Sequence, residues 1–344
     1  MHIGIDGSRC SSVKSTGVER YSLLTLPSLI KELQRQGHRV TVYARENAEV
    51  FEGATVKISG LRYLWTHLFL GLRSQLDKVD CLFVPSHVLP IIRPKHSVLF
   101  LHDVCWEEFP EAYSFFDRLY LRLTTANATR SAHIITHSAS TKEKIKNIFG
   151  AKRLSVIKPA AISVVKNETP IDWPKPYLLF VGRIETKKNI KMLLQAFDLL
   201  LSKNPAIKHN LVLLGKDGYG AEEIKDYFNK LRHKNRIMFY GYASDGLRDQ
   251  ALREASGLVL PSLCEGCSLV LLEARSARVP FVASACATCV EVGGNTGIYV
   301  KKNSEDNWVS ALEHLIMKPV TPDPSPNRTW EDVTKEIVEV VVSP

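Results

Sequence analysis

Short apolar and β-branched runs alternate with longer helix-like segments along nearly the whole chain, and this alternation constrains the fold most. A buried run, an amphipathic stretch and a second buried run are typical of βαβ units, in which helices connect parallel strands. The alternation is interrupted in residues 158–176, which contain four prolines and have no hydrophobic period. We therefore predict an α/β protein with two consecutive doubly wound domains.

The predicted elements follow the same alternation in both halves. In the first half we predict strands at 2–5, 40–44, 81–84, 97–101 and 134–136, with helices that include 18–36 and 117–130. In the second half we predict strands at 177–181, 211–214, 237–239, 258–260 and 281–283, with helices at 190–201, 221–232, 245–255, 268–278 and 305–316. The boundary falls near residue 168, which gives domains 1–168 and 169–328, followed by a final helix within 329–344.

Composition excludes several classes of protein. With 344 residues, 45% hydrophobic and 24% charged, the chain is neither disordered, nor collagen, nor a simple coiled coil. Its uncharged runs are shorter than the ~18 apolar residues that a membrane span requires. The opening MHIGID has no basic segment, so we expect no signal peptide and a cytoplasmic protein. Seven cysteines do not indicate a disulfide scaffold.

The charge is distributed unevenly. Residues 1–168 contain 23 Lys and Arg and 15 Asp and Glu, a net charge of +8, whereas residues 169–344 contain 22 and 21, a net charge of +1. A basic half is suited to an anionic partner, which could be nucleic acid, an anionic membrane leaflet or a phosphorylated substrate. A merely solvated basic surface is an equally good interpretation.

A candidate anion site follows the first strand of the second half. Gly182 and Arg183 come directly after the strand YLLFV, and Lys188 precedes the next helix. Unpaired amides, the positive end of the helix dipole and two cations would meet there, which suits a diphosphate.

A second strand-to-helix turn carries two carboxylates. Glu265 lies in the loop, and Glu273 lies two helical turns further on in the apolar sequence LVLLEA. Both could face one cleft and accept hydrogen bonds from sugar or ribose hydroxyls. The amides of Gly266, Cys267 and Ser268 at the helix start suit a phosphate. The alternative is a capping Glu265 and a solvated Glu273.

The cysteines allow a competing interpretation. Two Cys-x-x-Cys pairs, Cys264 with Cys267 and Cys286 with Cys289, are separated by 18 residues, which fits a zinc-site template. With the basic first half, this pattern would suggest a noncatalytic zinc or nucleic-acid-binding protein. The intervening sequence predicts a helix and a strand instead of a turn-rich ribbon, so we favour buried, separate thiols.

Taken together, these motifs resemble those of retaining glycosyltransferases of family 4, which have the GT-B fold. The family's Gly-Arg, four residues, Lys element matches Gly182, Arg183 and Lys188, and its Glu, seven residues, Glu element matches Glu265 and Glu273. Residues 6–21 resemble its N-terminal loop near the donor diphosphate, 101–104 its cleft histidine, 107–114 its mannosyltransferase-like members, and 329–332 the start of a helix that crosses back to the first domain.

The resemblance implies transfer of a sugar, for example mannose, from a nucleotide diphosphate sugar bound between two facing domains. Arg183 and Lys188 would neutralise the leaving diphosphate, Glu273 would hold the ribose, and Glu265 would hold sugar hydroxyls. His102 would contact the sugar from the other domain. The remaining donor-binding residues would be Gly17, Gly182, Gly266, Cys267, Ser268 and Leu269.

No cofactor is implied beyond the nucleotide sugar, and no Asp-x-Asp sequence is present that would indicate a divalent metal. The implied partners are a donor nucleotide sugar and a glycan or lipid-linked acceptor, and not nucleic acid. The sequence departs from the family at Cys267 and Ser268, which replace an aromatic residue and a glycine, and at Arg275, where a small or apolar residue is usual.

A membrane contact is suggested by residues 61–73, in which Trp65, Tyr63 and Phe69 lie between basic ends. This composition suits a helix lying against an anionic leaflet, at the cytosolic face of the membrane. A core helix packed against the first sheet explains the same pattern equally well.

Overall fold

The computed structural model describes residues 1–10, 17–46, 51–61, 63–161 and 171–343. The chain divides into two units. Unit 1 comprises Met1–Glu107, Ser114–Ala160 and Asn327–Pro344, and unit 2 comprises Glu108–Tyr113 and Ala161–Pro326. The predicted boundary at residue 168 falls within 162–170, outside the described residues.

Unit 1 is built on a parallel sheet of seven described strands in the order β3-β2-β1-β4-β5-β6-β7. The strands are β1 (His2–Asp6), β2 (Arg39–Ala44), β3 (Thr55–Ile58), β4 (Cys81–Val84), β5 (His96–Phe100), β6 (His133–Thr136) and β7 (Leu154–Val156). The connecting helices are α1 (Gly17–Arg35), α2 (Leu72–Leu76), α3 (Cys105–Glu108), α4 (Phe115–Thr129) and α5 (Ala139–Phe149).

The central strands of this sheet are fully buried because helices cover both faces of a parallel sheet. All residues of β1 and β4 are buried, and β1 pairs in register with β2 and β4. The two edge strands, β3 and β7, are half-exposed and were not predicted from the sequence. Their side chains lack the continuous apolar run that identifies a central strand.

The segment 61–73 does not form one regular α-helix. A π-helical stretch, Thr66–Gly71, runs into α2, and residue 62 lies outside the described residues. Trp65 and Leu70 are buried in unit 1, whereas Leu68 and Leu72 are exposed. One side of the segment therefore packs on the core of unit 1, as the core alternative requires, and the other side faces outward.

The last helix, α12 (Trp330–Val342), belongs to unit 1, where it packs on α1 and near β4 and β5. Thr329 caps it in a capping box with Asp332, which satisfies two amides at the helix start. Its buried residues are Val333, Thr334, Ile337, Val338 and Val341. The ring of Trp330 lies 5.6 Å from that of Tyr21 on α1.

Unit 2 has a parallel sheet of six described strands in the order β10-β9-β8-β11-β12-β13, with the order reversing beside β8. The strands are β8 (Tyr177–Val181), β9 (Asn210–Leu214), β10 (Ile237–Gly241), β11 (Gly257–Leu260), β12 (Phe281–Ser284) and β13 (Ile298–Val300). The helices are α6 (Ile190–Lys203), α7 (Ala221–Asn229), α8 (Asp245–Glu254), α9 (Leu269–Ser276), α10 (Ala287–Gly293) and α11 (Glu305–Met317). The predicted fold class, two doubly wound α/β units, is confirmed.

Arg275 has a structural role in unit 2. Its guanidinium is buried and donates hydrogen bonds to the carbonyl oxygens of Val292 (2.6 Å), Asp323 (3.1 Å) and Pro324 (2.8 Å). A small residue at this position could not make these bonds. Arg275 thereby fixes the proline-rich segment that leads toward α12.

Among the residues that the structure describes, no helix has both the length and the apolar character needed to span a bilayer.

Candidate donor-binding site

The loop after β8 contains the predicted cation pair. β8 ends at Val181, residues 182–185 leave the sheet, and a single 3₁₀ turn, Thr186–Lys188, leads into α6. Arg183 is half-exposed, and its Nε lies 3.6 Å from Oε2 of Glu185. Because this distance is long and Arg183 is exposed, the guanidinium can turn toward a bound anion.

The loop after β9 packs against the loop after β8 and accepts backbone hydrogen bonds from it. The sequence analysis did not predict this contact. A Cβ atom on Gly215 would lie 1.7 Å from the carbonyl oxygen of Gly182, so only glycine fits there. The amide of Ile184 donates to the carbonyl of Lys216 (2.8 Å), and the amide of Thr186 donates to that of Tyr219 (2.9 Å). The glycine-rich GKDGYG after a strand was the available signal.

Lys188 and Glu265 form a close ion pair in unit 2. Nζ of Lys188 lies 2.6 Å from Oε1 of Glu265, and both side chains are largely buried, with 16% and 10% exposure. A backbone hydrogen bond from the amide of Leu263 to the carbonyl of Lys187 (2.9 Å) joins the two loops. The structure thus brings together residues that are 77 positions apart in sequence.

The N-terminus of α9 lies beside this pair. Ser268 is the N-cap residue, yet its side chain accepts no capping hydrogen bond from the helix. Its hydroxyl oxygen is buried and has no hydrogen-bond partner among the described residues. The start of a helix, together with a buried hydroxyl that has no described partner, is suited to a phosphate oxygen. Gly266, Cys267 and Leu269 flank Ser268 in this turn.

Glu273 is buried and ion-paired instead of solvated. Its side chain is 5% exposed, and its Oε1 lies 3.0 Å from Nη2 of Arg248 on α8. The alternative of a solvated Glu273 is therefore wrong. The sequence analysis missed Arg248, because nothing in the sequence of a helix indicates a partner 25 residues away.

The structure does not support the zinc site of the competing interpretation. Cys264 is disulfide-bonded, so the expectation of separate thiols is wrong at this position. Burial raises the pKa of Cys267, and the nearby carboxylates of Glu265 and Glu291 raise it further. In the described ranges, no group of three or more His, Cys, Asp or Glu side chains is arranged to hold a metal ion. The zinc alternative is therefore not favoured.

In unit 1, His102 lies just beyond the carboxyl end of β5 and is buried. Its Nε2 lies 2.9 Å from the carbonyl oxygen of Pro85, and its Nδ1 lies 2.8 Å from Nε2 of His137. Because a carbonyl only accepts, Nε2 of His102 must carry the proton, and His137 donates to Nδ1. Burial lowers the pKa of His102 to about 3, so the ring is neutral. A contact of this ring with a sugar would replace one of these two hydrogen bonds.

The remaining predicted residue of unit 1, Gly17, is the first residue of α1. A Cβ atom on Gly17 would meet nothing within 4 Å, so the packing does not require glycine. The loop that precedes it, residues 11–16, lies outside the described residues. Asp6, at the carboxyl end of β1, is buried and accepts hydrogen bonds from the amide of Ser8 and the hydroxyl of Ser86, and burial raises its pKa.

Comparison with known proteins gives two family matches, one in each half of the chain. Residues 17–161 match the family described as Glycosyltransferase Family 4. Residues 175–318 match the family described as Glycosyl transferases group 1. Together the two matches include residues of both units, and the second match includes Arg183, Lys188, Glu265 and Glu273.

Similar curated proteins include two O-antigen chain mannosyltransferases. The chain is 29% identical over 264 residues to O-antigen chain mannosyltransferase B of Escherichia coli, an alignment that covers 72% of this chain and 66% of that protein. It is 24% identical over 332 residues to O-antigen chain mannosyltransferase RfbU of Salmonella typhimurium, covering 92% of this chain and 83% of that protein.

Among solved structures, WaaG, a glycosyltransferase involved in lipopolysaccharide biosynthesis, has the same fold. The comparison gives a TM-score of 0.74 at 15% identity and covers 99% of this chain and 100% of that chain. Anabaena HepE, solved in complex with UDP and glucose, gives a TM-score of 0.70 at 18% identity, with coverage of 99% and 95%.

Proposed function

Because the chain is a GT-B glycosyltransferase of group 1 and family 4, we propose that it transfers a hexose from a nucleotide diphosphate sugar with retention of the anomeric configuration. The single observation that carries the proposal is the anion site of unit 2. There the Lys188 and Glu265 pair lies beside the start of α9, where the hydroxyl of Ser268 is buried without a partner.

In this proposal the leaving diphosphate binds between the loop after β8 and the start of α9. Arg183 and Lys188 offset the charge that builds on the diphosphate as the bond to the sugar breaks. Cations held in place before the reaction stabilise such a transition state without reorganising. Glu265 accepts hydrogen bonds from sugar hydroxyls, and Glu273, held by Arg248, accepts them from the ribose.

Retention requires that the new bond form on the same face of the sugar as the bond that breaks. The transition state is oxocarbenium-like, so developing positive charge on the sugar faces the negative diphosphate. In the proposed step, the acceptor oxygen bonds to the anomeric carbon on the face from which the diphosphate departs, and an oxygen of the departing diphosphate takes up the acceptor's proton. Arg183, Lys188 and the start of α9 would hold the diphosphate at that face while this happens. Retention of configuration follows from this proposed step.

The proposed reaction is independent of divalent metals. Two cations and a helix start already supply positive potential for the diphosphate, and the sequence has no Asp-x-Asp element to hold a metal on it. We propose mannose as the sugar because two similar proteins are named O-antigen chain mannosyltransferases. On the same ground, the proposed acceptor is a lipid-linked or cell-surface glycan precursor, met at the cytosolic face of the membrane.

A panel of nucleotide diphosphate sugars tests the proposal. A ligand that binds the folded protein at 100 times its dissociation constant stabilises it by about 2.7 kcal/mol. We expect one GDP- or UDP-linked hexose to raise the melting temperature and to release its nucleoside diphosphate when a glycan lipid is added. NMR of the product should show retained anomeric configuration. If no nucleotide sugar stabilises the protein, or if the product is inverted, the proposal is wrong.

A further inference from the structure

Helix α4 in unit 1 exposes apolar side chains and buries polar ones. Its threonines, Thr124, Thr125 and Thr129, are buried, whereas Phe115 and Phe116 are 70% and 80% exposed. Leu119 and Leu123 continue the exposed stripe, at 42% and 61% exposure. A surface helix of a globular protein normally places its apolar stripe toward the core. The reversed arrangement indicates that the outer face of α4 meets an apolar environment.

The exposed stripe continues onto two neighbouring segments of unit 1. The ring of His67 on the π-helical stretch contacts Tyr120 of α4, with Nε2 and the hydroxyl 2.9 Å apart. The amide of Ile91 donates to Nδ1 of the same His67 ring (3.3 Å). Ile91 and Ile92 are 62% and 55% exposed. We call the exposed side chains of Ile91, Ile92, Phe115, Phe116, Leu119 and Leu123 the α4 surface.

The charge around the α4 surface is predominantly positive. Residues 63–76, 90–95 and 115–130 contain six Lys and Arg and one acidic residue, Asp117. Outside these ranges, the largely buried Glu107 pairs with Arg122 of α4 at 3.2 Å. Asp117 is used locally, because its carboxylate accepts a hydrogen bond from Ser114 at the start of α4. Exposed phenylalanine and leucine side chains among arginines are characteristic of helices that lie in the interface of an anionic bilayer.

We propose that the α4 surface docks on an anionic membrane leaflet, with the phenylalanines inserted among the lipid headgroups. The basic residues around it complement a negatively charged surface, each adding attraction that salt screens. A second copy of the chain is a poorer occupant. A twofold interface would bring the same arginines of both copies together, and like charges facing each other weaken association.

This docking proposal rests on the proposed function in one respect only, which is the lipid-linked acceptor. Such an acceptor is held at a membrane. It refines the membrane contact predicted from residues 61–73. That segment buries Trp65 and Leu70 but exposes Tyr63 and Leu64, at 74% and 63%. Helix α4 adds the two most exposed phenylalanines of unit 1 beside it.

Cosedimentation of the full chain with vesicles tests the proposal without donor or acceptor, so its outcome is independent of catalysis. Wild-type protein should bind vesicles of equal parts phosphatidylcholine and phosphatidylglycerol, and should not bind phosphatidylcholine alone. Replacing Phe115→Ser and Phe116→Ser should weaken binding on the order of a hundredfold. The matched control, Met317→Ser with Val320→Ser, removes exposed apolar side chains of unit 2 and should bind as wild type.

A second pair of variants tests the charge. Arg118→Gln with Arg130→Gln should weaken binding by about fivefold per charge at low salt, and less at high salt. The control, Lys301→Gln with Lys302→Gln, removes two exposed cations of unit 2 and should bind as wild type.

Unchanged melting temperatures and unchanged donor binding would show that these variants remain folded. Wild-type binding by the phenylalanine variant, or equal loss in its control, would overturn the proposal. The proposal would also be overturned if the wild type does not bind vesicles and instead forms a dimer in solution that the phenylalanine variant abolishes. If vesicles bind as expected but no sugar is transferred, the docking surface stands and the proposed function fails.

Discussion

Lys188 is held by Glu265 in a way that fixes its position without neutralising the whole site. Nζ of Lys188 and Oε1 of Glu265 are 2.6 Å apart, and both side chains are mostly shielded from water. Arg183, by contrast, is half-exposed and only loosely associated with Glu185. The two cations therefore play different parts, because one is preorganised and the other can close on a bound anion.

The first prediction concerns these two cations. Lys188→Ala or Arg183→Ala should lower turnover on the order of a hundredfold, because each removes positive charge from the developing diphosphate. Steady-state kinetics with the donor identified by the panel would measure this. Lys191→Ala, an exposed lysine in the first turn of α6, is the matched control and should retain wild-type turnover. Wild-type rates in both site variants would contradict the assignment.

The second prediction concerns the buried pair of Glu273 and Arg248. Arg248→Met leaves a buried carboxylate without its cation, which costs about 3 kcal/mol of stability. The double variant Arg248→Met with Glu273→Leu should recover much of that loss, because no buried charge remains. Arg253→Met provides the control on the same helix. Its partner is Asp249 at 3.1 Å, the arginine is 47% exposed, and such surface pairs contribute at most about 1 kcal/mol.

Hydrogen exchange in unit 2 would compare these variants without assuming that the two units unfold together. Equal protection of α9 in the Arg248 and Arg253 variants would show that the buried pair contributes no more stability than the surface pair.

Glu273→Gln should also raise KM for the donor more than it lowers kcat, because a ribose contact stabilises ground state and transition state alike.

The third prediction concerns pH and His102. Its pKa is lowered to about 3 in the folded protein by burial, whereas in the unfolded chain it is near 6.5. Between these values the unfolded chain binds more protons, so stability falls as the pH falls. This one group should remove about 2 kcal/mol between pH 7 and pH 5. Exchange rates of β5 amides in wild type and His102→Gln would measure the difference.

His314 provides the comparison, since it is exposed on α11. The His102 variant should have a shallower dependence of stability on pH, and His314→Gln should have the wild-type dependence. Parallel curves for wild type and the His102 variant would show that His102 is not the group responsible.

Among the elements, α12 illustrates how a short terminal segment completes a core. Its buried valines and isoleucine join the cluster formed by α1 and the central strands of unit 1. Its start is fixed by the capping box of Thr329 and Asp332, and by Arg328, which donates to the carbonyl of Lys158 (2.8 Å). The helix is therefore a structural part of unit 1 even though it follows unit 2 in sequence.

The fourth prediction follows from this packing. Ile337 is fully buried, so Ile337→Ala should destabilise unit 1 by about 3 kcal/mol through lost apolar contact and a cavity. Hydrogen exchange of α1 and α12 should rise together, while unit 2 stays protected. Lys335→Ala, which changes an exposed side chain of the same helix, should have almost no effect. Independent fraying of α12 alone would contradict the packing argument.

At the scale of the whole molecule, the proposed anion site is assembled within unit 2 from the loop after β8, the loop after β11 and the start of α9. The net charge of +9 is concentrated in residues 1–168, whereas the anion site lies in the nearly neutral half. In the proposed function, therefore, the overall charge of the chain is not the feature that selects the diphosphate. Locally positioned cations and amides would select it instead.

The fifth prediction concerns metals. Because Arg183, Lys188 and the start of α9 supply the positive potential, transfer should proceed at nearly the wild-type rate after exhaustive treatment with EDTA. Elemental analysis of the purified protein should find no stoichiometric zinc. Loss of activity that magnesium or manganese restores would show that a metal holds the diphosphate and that the proposed role of the cations is incomplete.

The sequence by itself determined the fold class, because runs buried on both faces of a parallel sheet must be apolar along their whole length. It also located Gly182, Lys188 and Glu265 at strand-to-helix turns, since glycine and charge at such turns are visible without a structure. Residues 162–170, which include the predicted boundary, lie outside the described part of the chain.

Only the tertiary structure decided which side chains meet. Arg248 holds Glu273, His137 engages His102, and Arg275 anchors a distant proline-rich segment. The outward face of α4 was also unforeseen, because its helical period is the same whichever side is buried. Hydrophobic periodicity fixes the kind of element, whereas partners across the fold depend on side-chain packing between segments far apart in sequence.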